Sequence, residues 1–105
     1  MAGMPKKVCL GRDVYDVFLV DEVDDDDSSG DFNRRHNRIR IKKGLPNHFE
    51  RTVVLHELLH AIMHRSGLSD LFKEEKEEQI VLIIGEWLTD ALRDNPELVA
   101  YLTRK

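Results

Sequence analysis

The segment 48–66 constrains the fold of this 105-residue chain more than any other. Val53, Val54, Leu55, Leu58, Leu59, Ile62 and Met63 recur at helical spacing and make a broad apolar face, the pattern of a helix that docks on a core. Ser66-Gly67 is its stop signal, since glycine takes the left-handed conformation that closes many helices. Into this apolar run the chain inserts His56, Glu57 and His60. Burying such groups without partners costs several kcal/mol, so they are expected to be hydrogen-bonded or bound to an ion.

The remaining segments arrange themselves around that helix. Residues 1–7 read as a loose tail, and 14–21, rich in β-branched and aromatic side chains, as a strand. Asp24-Asp25-Asp26-Asp27-Ser28-Ser29-Gly30-Asp31 has turn and loop chemistry. Asn37-Arg38-Ile39-Arg40-Ile41-Lys42 alternates polar and apolar residues, a half-buried second strand ended by Gly44 and Pro46. A second helix is predicted over about 71–93, burying Ile80, Val81, Ile84, Leu88 and Leu92. A short third helix opens at Asn95-Pro96, with asparagine as cap and proline in the first turn. Strands followed by helices give an α+β domain, with helices on one face of a small antiparallel sheet and a single domain over 1–105.

His56 and His60 are one helical turn apart, so both imidazoles stand on one face and can share a tetrahedral zinc ion. Glu57 lies one step round, where it can take a proton from a water on the ion and hand it to a leaving amine. This is the H-E-x-x-H arrangement of zinc peptidases. His64 continues the series but lies about 12 Å along the axis from His56, too far to share the ion. The longer motif with Gly at 63 and His at 66 is excluded by Met63 and Ser66.

A catalytic zinc takes three protein ligands, and the run Lys73-Glu74-Glu75-Lys76-Glu77-Glu78 supplies glutamates for the third. Most of such a run is a solvated helix start whose acids favour the helix dipole. A ligand must face the first helix. Glu77 aligns with Val81, Ile84 and Leu88, and Glu78 with Val81, Gly85 and Leu88. Gly85 would let the helices approach closely, which favours Glu78, with Glu77 as the alternative.

Val54-Leu55-His56-Glu57-Leu58-Leu59-His60-Ala61-Ile62, with Glu77-Glu78-Gln79-Ile80-Val81 downstream, resembles small phage and prophage zincin-like proteins. It is similar, more distantly, to the ImmA/IrrE metallopeptidase family, which follows H-E-x-x-H with E-x-x-A-[ND]-x-F-A on the next helix. From Glu78 this chain has Val81, Leu82, Ile84 and Gly85 at the patterned positions, departing in side-chain type. The resemblance implies a minimal zincin fold, a zinc ion held by His56, His60 and Glu78, and hydrolysis of a peptide or protein substrate with Glu57 as base. A non-catalytic zinc-containing protein-binding module of phage or prophage origin is the alternative.

Other features read more plainly. Asp25-x-Asp27-x-Ser29-Gly30 opens like a calcium loop, but its twelfth position is His36 rather than glutamate. Arg34, Arg35, Arg38, Arg40, Lys42 and Lys43 read as the charged outer face of a strand, and 38–42 as an edge strand that could bind substrate backbone. His36, His48, His64 and Tyr15 are candidates to stabilise a tetrahedral intermediate. Cys9 and Trp87 read as buried. A net charge of −4 argues against nucleic acid as a partner. A lone cysteine, no signal-like start and no apolar run of spanning length suggest a cytoplasmic protein without a membrane partner.

Overall fold

The computed structural model describes residues 3–23 and 28–105. Four strands, β1 (Lys7–Leu10), β2 (Asp13–Val20), β3 (Gly30–Asn33) and β4 (Arg38–Lys42), precede three helices, α1 (Asn47–Ser66), α2 (Glu74–Asp94) and α3 (Pro96–Leu102). A 3₁₀ turn, Leu68–Leu71, joins α1 to α2. The architecture is α+β, as the order of elements predicted. The acidic residues 24–27, including Asp25 and Asp27 of the calcium-loop pattern, lie outside the described residues.

The sheet is mixed rather than wholly antiparallel. Its order is β1-β2-β4-β3, with β2 and β4 parallel and the outer pairs antiparallel. The chain leaves β2, passes the place β4 will take, forms β3 at the edge and turns back. Asn37, at φ 48°, makes the left-handed step in that return, and the Asn33 side-chain oxygen accepts a hydrogen bond from the His36 N–H. Residues 38–42 are therefore interior, and β3 is the edge strand beside them, with β1 at the opposite edge. β1 and β3 escaped the sequence reading because each is four residues long and carries loop-like or tail-like composition.

The alternation in β4 holds: Ile39 and Ile41 are fully buried and form a core with Val17 and Val53. α1 lies across β3 and β4, and α2 packs on α1. Gly30 makes the first of these contacts possible. A Cβ there would stand 2.8 Å from Val53 Cγ1 and 2.9 Å from the Arg40 carbonyl oxygen, so only glycine lets β3 sit this close to α1. Gly67 closes α1 in the left-handed conformation, with φ 86°.

Several burial expectations are corrected. Val81 is buried, but Ile84, Leu92 and Trp87 are exposed, as is Cys9. The buried stripe of α2 is Glu77, Val81, Gly85 and Thr89. Asn95 does not cap α3 with its side chain; its amide donates instead to the Ala91 carbonyl at the end of α2. Among the described residues no helix is long and apolar enough to cross a membrane.

Candidate metal centre

The site lies where the middle of α1 meets the first turns of α2. His56 and His60 project from one face of α1, their ring centroids 4.9 Å apart. The two oxygens of Glu78 reach one to each histidine: Oε1 is 2.8 Å from His56 Nε2, and Oε2 is 2.8 Å from His60 Nε2. One ligand atom from each of His56, His60 and Glu78 falls within a 4.8 Å cluster. Two imidazole nitrogens and a carboxylate oxygen are the donor set of a catalytic zinc with one position open. In a tetrahedral zinc centre the donors stand roughly 3.4 Å apart. The residues therefore fit an ion once the two 2.8 Å histidine–Glu78 contacts open by roughly 0.6 Å.

Glu77, the alternative from sequence, takes a different place. Its Oε2 accepts a hydrogen bond from His60 Nδ1 at 2.7 Å, on the other side of the imidazole from Glu78. Its Oε1 accepts one from the Ser69 hydroxyl at 2.5 Å. Burial works to raise the Glu77 carboxyl, but the hydrogen bonds from Ser69 and His60 and the nearby His64 hold it below its ordinary value. Adjacent glutamates thus separate, one to Nε2 and one to Nδ1, because successive helical side chains diverge by about 100°.

Glu57 is buried against the sheet side of the same site. Loss of water pushes its carboxyl up to about 7; His60 opposes this and the Glu78 and Asp31 charges reinforce it. A carboxyl poised near neutrality can hold and release a proton at working pH. Burial also lowers His56, against the raising effect of Glu78, and this favours the neutral ring that a metal needs.

These residues line a cavity of about 920 Å³ whose far wall includes Gly30, Asp31 and Phe32 of β3. Phe49, Phe72 and Leu82 add apolar surface. Of the four candidates for stabilising an intermediate, His64 lines this cavity, packed on Phe32 with ring centroids 5.6 Å apart. Tyr15 is buried with its ring centroid 5.8 Å from that of Phe32, His48 faces Arg93 and Asp90 at the far end of the helix pair, and His36 lies in the β3–β4 turn. Sequence reasoning missed Ser69 and β3. Ser69-Asp70 before a charged run reads as ordinary helix-start chemistry, and Gly30 and Asp31 read as the end of the acidic loop, leaving Phe32 the one apolar residue of its strand.

An α+β domain with H-E-x-x-H on one helix and a glutamate from the next facing both histidines has the outline of a metallopeptidase domain. Residues 13–91 match the family model of the IrrE N-terminal-like domain, a peptidase family, and the chain belongs to that family. Membership implies a metal cofactor. No curated protein and no solved structure matches the chain.

Proposed function

We propose that this chain is a zinc-dependent peptidase in which His56, His60 and Glu78 hold the ion and Glu57 is the general base. The observation that carries this reading is the convergence of both Nε2 atoms on one Glu78 carboxylate, in a cavity that also holds the buried Glu57. Zinc, when bound, supplies a Lewis acid that acidifies water and polarises a carbonyl. Glu57 takes the proton of the attacking water and returns it to the leaving amine. The exposed edge of β3 accepts an extended peptide by strand addition, which lays its backbone along the cavity wall. His64, in the same cavity, is placed to donate to the developing oxyanion.

The test is the Glu57→Gln variant with zinc content measured alongside peptide hydrolysis. The expected result is one zinc per chain in both proteins and a loss of at least about 100-fold in hydrolysis. Full activity in the variant would show that Glu57 is not the base. A second reading, a zinc-holding module that docks on another protein, draws on the exposed Ile83, Ile84 and Trp87 of α2. A wild-type chain that holds zinc but cleaves no peptide in a diverse library would favour it.

A further inference from the structure

We infer that Glu77 is a positioning residue for His60, clamped by Ser69, and that it fixes which imidazole nitrogen faces the metal. The inference rests on the zinc-peptidase reading. The Glu77 carboxylate is buried and held from two sides, by Ser69 Oγ at 2.5 Å and His60 Nδ1 at 2.7 Å. Its acceptance of the Nδ1 proton leaves the Nε2 lone pair of His60 directed to the place where Glu78 also points. A carboxylate behind a metal-bound histidine also makes the ring a stronger donor. Ser69 belongs to the 3₁₀ turn between the helices, so the chain Ser69–Glu77–His60 ties turn, α2 and α1 together. His56 has no such carboxylate on its Nδ1 among the described residues; Glu78 meets it at Nε2. The two histidines of the motif are therefore not equivalent, and His60 is the one locked in place.

Glu77 cannot serve the same ion from its present position, because Nδ1 and Nε2 lie on opposite sides of the ring. That separates a positioning role from a ligand role experimentally. Zinc affinity would be measured by competition with a chromophoric chelator for wild type, Glu77→Gln, Glu77→Ala, Ser69→Ala and Glu78→Gln. The His60 ring protons would be followed by long-range ¹H–¹⁵N correlation in the zinc-loaded proteins. Glu78→Gln should weaken zinc binding by well over about 100-fold, and Glu77→Ala by about 10–100-fold. Glu77→Gln should recover much of that loss, since its amide oxygen still accepts the Nδ1 proton. The protected Nδ1 proton of His60 should persist in Glu77→Gln, exchange faster in Ser69→Ala and vanish in Glu77→Ala.

If Glu77→Ala fails to fold, Glu77→Gln and Ser69→Ala carry the test. Glu77→Gln losing zinc as severely as Glu78→Gln would make Glu77 a ligand and overturn the inference. So would Glu77 variants that bind zinc like wild type with the His60 proton unchanged. A folded wild-type chain that takes up no zinc would overturn the peptidase reading as well, an outcome distinct from any seen in the variants alone.

Discussion

On the inner face of α2, Glu77, Val81, Gly85 and Thr89 are buried against α1; on its outer face Ile83, Ile84 and Trp87 are 57%, 49% and 75% exposed. Hydrophobicity alone would roll the helix the other way. What holds the observed face inward is polar and steric. Glu77 and Glu78 bond to His60 and His56, Gly85 lies against the backbone of His56, and the Thr89 hydroxyl is satisfied within its own helix by the Gly85 carbonyl at 2.7 Å. A buried carboxylate with two hydrogen-bond donors loses little by leaving water, whereas a Trp87 turned inward would meet α1 where it comes closest. The helix is oriented by the site, and the apolar surface left outside is the consequence.

The comparison can be tested through pH as well as through zinc. In chelator-stripped protein, Glu57 has a folded value of about 7 against an ordinary 4.5. Between these values the folded chain holds a proton that the unfolded chain has released, so stability falls as pH rises. The contribution is complete below the ordinary value and lost above the folded one, on the order of 3 kcal/mol. Urea unfolding at pH 5 and pH 8 should show this fall, and Glu57→Gln should flatten it. Glu77, held below its ordinary value, acts oppositely and in a more acid range: its contribution is present above the ordinary carboxylate value and lost as pH drops through the folded one. His56, held below its ordinary value by burial, acts in the opposite sense over part of the same window. The Glu57 contribution is therefore the difference between wild type and Glu57→Gln, and a wild type that loses no more stability than the variant from pH 5 to pH 8 would contradict the burial of Glu57.

Substitutions on the two faces should differ in size. Val81 is 1% exposed, and Val81→Ala should cost about 2 kcal/mol by leaving a cavity between the helices. Gly85→Ala should be tolerated, because its Cβ would meet Leu59 Cδ1 at 3.6 Å and His56 Cα at 3.8 Å, ordinary contact distances. Replacing a mid-helix glycine then stabilises by up to about 1 kcal/mol, read as a higher denaturant midpoint with zinc affinity kept. Destabilisation would mean that the helices approach more closely than these distances indicate. Trp87→Ala should change stability least, within about 0.5 kcal/mol. A larger loss would show that the outer face is covered in solution, and gel filtration of the variant would then reveal whether a second chain covers it.

By itself the sequence determined whatever depends on near neighbours in the chain. Helical periodicity set His56 and His60 on one face with Glu57 beside them, Gly67 closed the helix, and the alternation of Arg38 to Lys42 named Ile39 and Ile41 as core. Choosing between Glu77 and Glu78 depended on how one helix rolls against another, and periodicity admits both faces. The Ser69 hydroxyl and the His60 ring, eight and seventeen residues from Glu77, hold that side chain on the Nδ1 side of the imidazole, and this contact is what the chain pattern alone does not give. The parallel pairing of β2 with β4 and the placing of β3 at the edge were likewise decided by tertiary structure. Strand order is fixed by contacts between distant segments, and here by one glycine that lets β3 close on α1.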